Sequence, residues 1–203
     1  MSNRVGKDVK GVKRPAVVGA GLMGIGIAQV FAKNGFTTTL IENDPRKLVL
    51  AKQQLRDVSI IISSEMHDLR DSDFVIEAVF ENIDAKKSAL RAIEKSVSSQ
   101  CVISSNTSSL LIYDLSKCLK NSSRFMGVHF NNPAEFNPIV EIIGSKTTKT
   151  KHLKKMKKWL QSLGKIVISC LDTPCFILNR QSLPYLNQAA KCLDTAGCGQ
   201  IDK

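Results

Sequence analysis

The sequence predicts an α/β fold: a mostly parallel sheet with helices on both faces, followed by one more long helix. Three observations predict it. Short apolar runs alternate with helical patterns from residue 16 to residue 169. A glycine-rich turn, Gly19-Ala20-Gly21-Leu22-Met23-Gly24, stands where the first run gives way to the first helix. From Pro174 the alternation stops and a single helical pattern follows.

The elements follow in order. Residues 16–18 form a short apolar run between Pro15 and Gly19, and 22–34 read as a helix stopped by Gly35. Residues 37–41 are β-branched and strand-like. A helix is expected over 45–56, with Asp44 as N-cap and Pro45 at the first helical position. Residues 58–62 are a strand candidate, and 74–80, apolar except for Glu77, read as a buried strand. A helix over 85–97 precedes strands over 101–104, 125–130 and 139–143. A helix over 150–163 and a strand over 166–169 close the alternation. Asp172 or Thr173 is then expected to cap a helix beginning at Pro174. Phe176, Leu183, Leu186 and Ala190 fall on one stripe of it, and Pro184 should kink it. That stripe must pack on the preceding domain, on another chain, or on an absent domain. The division so read is a basic tail (1–12), a sheet domain (13–173) and the start of a helical domain that the chain does not complete (174–203).

Composition narrows the function classes. With 43% hydrophobic and 23% charged residues the chain is ordinary globular protein, which argues against disorder, collagen and coiled coil. No apolar run reaches the ~18 residues of a membrane span, so a soluble chain is expected. The outlier is charge: 29 Lys+Arg against 18 Asp+Glu, a net +11. It suggests an anionic partner, whether nucleic acid, membrane surface or a phosphate-bearing small molecule. Nucleic acid is the weakest of these, because aromatics are 5% and no stacking platform or recognition helix is visible. Six cysteines (101, 118, 170, 175, 192 and 198) include no C-x-x-C pair and no histidine cluster. They read as free thiols in a reducing compartment, with no metal site. Residues 1–14 lack the apolar region of a secretory signal, and five basic residues against Asp8 leave an organelle-import reading open.

The turn at 19–24 is a G-x-G-x-x-G, and it has the context the motif needs, after a strand and opening a helix. The first Gly allows the tight turn, the second lets a pyrophosphate approach the backbone, and the third lets helix and strand pack closely. Phosphate charge then sits on free N–H groups at the helix N-terminus. Glu42, 18 residues after Gly24, ends the second strand. An acid there accepts hydrogen bonds from ribose hydroxyls and repels a 2′-phosphate, which favours NAD over NADP, although Arg46 is nearby. The alternative is a glycine-rich turn beside an ordinary surface acid.

Two polar residues sit inside apolar strands. His129 lies within 125–130, and Glu141 is flanked by Ile and Val within 139–143. A lone His is usually structural, but an unpaired buried carboxylate costs several kcal/mol, so Glu141 needs a partner or a proton. His129 is the nearest candidate, across the turn at Asn131-Asn132-Pro133. A carboxylate against the imidazole fixes its tautomer and stabilises its cation, which is what a general base requires. Ser105-Asn106-Thr107-Ser108-Ser109 follows a strand C-terminal end, where ligands bind in open α/β sheets; a helix N-cap is the alternative. Asn179 falls on the apolar stripe of the last helix and needs partners of its own.

Together these residues resemble the 3-hydroxyacyl-CoA dehydrogenase family. The similar stretches are GAGLMGIGIAQVFAKNG (19–35), DFVIEAVFEN (73–82), SSNTSSL (104–110), RFMGVHFNNP (124–133), IVEII (139–143) and DTPCFILNR (172–180). The resemblance implies a Rossmann-type NAD-binding domain, a helical domain used for dimerisation, and oxidation of 3-hydroxyacyl-CoA to 3-ketoacyl-CoA, as in fatty-acid β-oxidation. It places the catalytic pair on His129 and Glu141, with Ser108 and Asn179 holding the substrate oxygen. It places the cofactor contacts on Gly19, Ala20, Gly21, Leu22, Met23, Gly24, Glu42, Glu81, Lys86, Ser108 and Asn132. The partners implied are an acyl-CoA and either a second copy or a separate helical domain. The compartment implied is cytoplasmic, with mitochondrial matrix or peroxisome as alternatives. Lys146, Lys149, Lys151, Lys154, Lys155, Lys157 and Lys158 crowd one segment, read first as a solvated face and second as attraction for CoA phosphates.

Three departures stand out. The family usually has a long helical hairpin between the second and third strands, and this chain is short there. The family's Gly in DTPGF is Cys175, and its HFFNP is His129-Phe130-Asn131-Asn132-Pro133. The chain also stops where the helical domain should begin, so either a remodelled enzyme or an NAD-binding relative without turnover is expected, or a dehydrogenase of a smaller hydroxy acid.

Overall fold

The computed structural model describes residues 11–55 and 59–193. Eight strands form one sheet: β1 (Pro15–Val18), β2 (Thr38–Ile41), β3 (Ile60–Ser63), β4 (Phe74–Glu77), β5 (Val102–Ser105), β6 (Phe125–Phe130), β7 (Ile139–Ile143) and β8 (Ile166–Cys170). Their order across the sheet is β3-β2-β1-β4-β5-β6-β7-β8, and every neighbouring pair is parallel except β6 with β7. The chain therefore winds outward from β1 to β3, then returns to place β4 on the other side of β1. That reversal opens a crevice at the strand C-terminal ends, where α/β sheets bind ligands.

The described residues hold six helices: α1 (Leu22–Lys33), α2 (Pro45–Gln54), α3 (Ile83–Ser96), α4 (Ile112–Ser116), α5 (Thr150–Ser162) and α6 (Leu178–Leu193). Buried side chains put α1, α2 and α5 on one face and α3 and α4 on the other. Central strands covered on both faces are apolar throughout, as β1, β4, β6 and β7 largely are. On the α1/α5 face, Trp159 is fully buried, with its ring centroid 5.2 Å from both Phe31 and Phe74. Asp44 caps α2 as expected, accepting from Arg46 N, and Asn82 caps α3 by accepting from Asp84 N and Ala85 N.

Several expectations change. β4 ends at Glu77 rather than residue 80, because Ala78 N is the last group there to pair with β1, at Val18 O. Residues 56 and 58, where a helix end and a strand start were expected, lie outside the described residues, as do 1–10 and Cys198. Val12, placed in the basic tail, is buried in the core. Helix α4 and two 3₁₀ turns, Met66–Leu69 and Ser122–Arg124, had no counterpart in the sequence reading.

The largest change is at the last helix. It begins at Leu178, not Pro174, because Cys175 and Phe176 both have positive φ, 63° and 48°, and break any helix started at Pro174. Asp172 caps a different helix: its carboxylate accepts from Ile112 N and Tyr113 N at the start of α4, both at 2.7 Å. The expected stripe does not pack on the sheet domain. Phe176 is buried, but it precedes the helix, while Leu183, Leu186 and Ala190 are exposed.

Candidate active site

The glycine turn links β1 to α1. Gly19 has φ +104°, and a Cβ there would meet Ala78 O at 2.8 Å. A Cβ on Gly24 would sit 1.8 Å from Gly19 O, so only glycine lets the helix start lie against the turn. Gly21 is the N-cap of α1 and carries no side chain, so the first amides of α1 have no side-chain cap and no acidic neighbour in the first turn. Such an end favours an anion. Glu42, 7% exposed, accepts from Ala20 N at 2.8 Å and from Asp44 N at 2.9 Å. Both oxygens are thus anchored to backbone and each retains a lone pair for a hydroxyl group. A buried acid fixed to the phosphate turn suits a dinucleotide, so these residues fit NAD.

Beyond the turn, β4, α3 and the segment between them deliver three charged groups: Glu77, Lys86 and Glu81. Lys86 is 1% exposed, and its ammonium donates to Glu77 Oε1 (2.8 Å) and Val79 O (3.1 Å) and pairs with Glu81 Oε2 (3.2 Å). Glu81 Oε1 gathers the loop after β5: it accepts from Thr107 Oγ1, Ser108 N (3.0 Å), Ser109 N (3.2 Å) and Ser109 Oγ (3.0 Å). Burial opposes ionisation of Glu81, but the Thr107 bond, the Lys86 charge and the loop donors outweigh it and hold its carboxyl below the usual value.

His129 and Glu141 face each other across the antiparallel β6–β7 pair. His129 Nδ1 lies 2.7 Å from Glu141 Oε2, with Glu141 fully buried. The other oxygen, Oε1, accepts from Ile177 N (2.9 Å), Leu178 N (3.0 Å) and the Cys170 thiol (3.4 Å). Burial again raises this carboxyl, but His129 and the two amides overcome it, and the net shift is downward. In the neutral imidazole, the charged carboxylate favours the ring proton on Nδ1, which leaves Nε2 with its lone pair. The same carboxylate pins the start of α6, which brings Asn179 Nδ2 to Ser108 O at 3.3 Å. Cys170 is no nucleophile: burial and the Glu141 charge push its thiol up to about 12.

These groups meet in one cleft of about 380 Å³ whose lining includes Met23, Glu81, Lys86, Ser108, His129, Asn132 and Asn179. Glu141 stands behind His129 rather than in the lining, and Glu42 is outside it, on the glycine-turn side. Asn132 is exposed at the rim. The sequence reading missed Glu77, fully buried in β4, and Phe176, whose ring lies 5.9 Å from the His129 ring. Glu77 carries the same signal that singled out Glu141, an acid inside an apolar strand. No helix is long and apolar enough to cross a membrane, and no group of metal-binding side chains occurs, among the described residues.

The family model described as 3-hydroxyacyl-CoA dehydrogenase, NAD binding domain, matches residues 14–60 and 57–173. The two stretches meet between α2 and β3, at the short connection. The mitochondrial hydroxyacyl-coenzyme A dehydrogenase of Sus scrofa is 32% identical over 217 residues, covering 94% of this chain and 69% of its own length. A solved 3-hydroxyacyl-CoA dehydrogenase from Archaeoglobus fulgidus superposes with a TM-score of 0.82 at 31% identity, covering 94% of this chain and 67% of that one. A solved (S)-3-hydroxybutyryl-CoA dehydrogenase from Ralstonia eutropha gives 0.83 at 28%, covering 93% and 75%.

Proposed function

This chain belongs to the 3-hydroxyacyl-CoA dehydrogenase family, and from that premise we propose that its cleft oxidises a 3-hydroxyacyl-CoA to the 3-ketoacyl-CoA, in fatty-acid or short-chain acyl-CoA metabolism. The observation that carries this reading is the His129–Glu141 pair, 2.7 Å apart, with the imidazole facing the cleft beside the glycine turn. NAD, when bound, supplies the acceptor for the hydride that leaves C3. Gly19 to Gly24, Glu42, Glu81, Lys86, Ser108 and Asn132 hold it.

His129 Nε2 takes the proton of the 3-hydroxyl, and the charge of Glu141 stabilises the resulting imidazolium. Ser108 and Asn179, joined by a hydrogen bond from Asn179 Nδ2 to the Ser108 backbone carbonyl, hold the substrate oxygen and align it. In the reverse direction His129 returns the proton to the ketone oxygen. The exposed face of α6 suits a second copy or a separate helical domain. The compartment proposed is the cytoplasm, with mitochondrial matrix or peroxisome as alternatives.

The test is acetoacetyl-CoA plus NADH with the purified chain. Loss of nicotinamide absorbance is expected, together with its disappearance in His129→Gln while NADH still binds by calorimetry. NADH binding without turnover in the wild-type chain would overturn the enzyme reading. Turnover of a free hydroxy acid alone would overturn the acyl-CoA assignment.

A further inference from the structure

Glu77 is the buried acid that the mechanism above does not use. It sits at the end of β4 with no exposed surface, next to the strand that carries the glycine turn. An acid so placed must be fully paired, and its pairing leads in one direction. Oε1 accepts from Val79 N (2.7 Å) and from the Lys86 ammonium (2.8 Å). Lys86 continues to Glu81 Oε2, and Glu81 Oε1 holds the amides of Ser108 and Ser109. Oε2 accepts from Ser105 Oγ (2.7 Å), which in turn accepts from Thr107 N (3.2 Å). Even the backbone carbonyl of Glu77 takes Asn106 N at 2.8 Å. Both carboxylate oxygens thus end on the loop 105–109, one through an ion pair and one through a hydroxyl.

The charges explain why this matters. Lys86 serves two carboxylates with one ammonium. Glu77 takes the shorter contact, so Glu81 keeps an oxygen for the loop. With Glu77 neutral, Glu81 becomes the only counter-ion of a buried ammonium, and at low local dielectric that attraction outweighs neutral hydrogen bonds to serines. Glu81 is then drawn inward and the loop loses its acceptor.

We propose that Glu77 is a positioning residue for the reaction: it neutralises Lys86 and anchors Ser105, and so holds the loop that presents Ser108 to the substrate. The role rests on the reading of Ser108 as substrate-facing. Its test is Glu77→Gln, read by the backbone amide resonances of residues 107–109 and by turnover of acetoacetyl-CoA with NADH. The expected result is displaced Ser108 and Ser109 amides, with kcat down by at least about tenfold in protein that remains folded. Should the single variant fail to fold, Ser105→Ala removes the hydroxyl that ties Glu77 Oε2 to Thr107 N, leaves every buried charge paired, and is expected to displace the amides of 107–109. A purely scaffolding role would lower the unfolding midpoint without moving the loop. Unmoved amides at 107–109, or kcat within about twofold of wild type, would overturn the proposal. An inactive wild-type chain would sink the acyl-CoA reading instead, and the amide shifts of Ser108 and Ser109 would then decide the role of Glu77 in setting the loop.

Discussion

Glu141 carries two tasks on one carboxylate, and they separate by oxygen. Oε2 orients His129, while Oε1 receives the first amides of α6. Glu141→Gln keeps the shape and removes the charge. The imidazolium then loses its counter-ion, and kcat is expected to fall about a hundredfold or more. NADH affinity, which we assign to the glycine turn and Glu42, should stay the same by calorimetry. Unchanged turnover would refute the dyad. The same charge makes an acid-stability prediction. Glu141 and Glu81 are both held below the usual carboxylate range in the folded chain: hydrogen bonds outweigh burial at each, and the Lys86 charge adds to them at Glu81. A depressed folded value contributes stability that is fully present above the unfolded value and lost as pH falls through the folded one. Urea midpoints should therefore drop as the pH falls through the usual carboxylate range and below it, and the drop should be shallower in Glu141→Gln.

The turn into α6 shows how far an element can be read from sequence. Pro174 after Asp172 and Thr173 looks like a helix start, yet Asp172 is committed to α4, and the chain spends Cys175 and Phe176 in the left-handed region first. The family resemblance had marked Cys175 as the place of a glycine, and its φ of 63° supplies the reason. Left-handed backbone costs a residue with a Cβ about 1–2 kcal/mol, against about 0.5–1 kcal/mol of extra entropy lost by glycine. Cys175→Gly is thus expected to stabilise the chain by about 0.5–1 kcal/mol, read as a higher urea midpoint at constant slope, with no gain from Cys175→Ala. A fall in the midpoint would show that the thiol packs better than the backbone is strained. Other elements were legible for plain reasons. β6 and β7 appear with the expected bounds, because strands buried on both faces are continuous apolar runs. Helix α4 was not legible, since five residues give too little periodicity and its cap lies 60 residues away at Asp172. His129 and Glu141 were legible as a pair because their cross-strand register is local. Glu77 is visible in the sequence only as a break in an apolar run, because its partners, nine and 28 residues distant, come from α3 and β5.

At the scale of the whole molecule, stability and chemistry are divided unequally between the sheet and α6. The core closes without α6: Trp159, Phe31, Phe74 and Phe130 pack between α1, α5 and the sheet. Helix α6 is held at its start, by Glu141, by Asn179 to Ser108 and by buried Phe176, whereas residues 180–188 are all exposed. A helix of this length without tertiary packing is marginal in water, so its far end should open locally without global unfolding. Hydrogen exchange is expected to show the Ile177 and Leu178 amides protected close to the core and those beyond Ser182 exchanging far faster. Replacing Leu183 and Leu186 by Gln should change the urea-derived stability by less than about 0.5 kcal/mol, while Leu160→Ala, in the core, should cost about 2–5 kcal/mol. Uniform protection along α6, or a large loss from the Leu183 and Leu186 changes, would mean that the stripe is covered in solution. Dependence of that protection on protein concentration would identify a second copy as the cover. The coupling then runs back to the chemistry, because the groups that fix the start of α6 are Glu141 and Ser108. Fraying that reaches Asn179 removes the group proposed to align the substrate before it disturbs the sheet, so turnover should be lost at lower urea than Trp159 fluorescence reports unfolding.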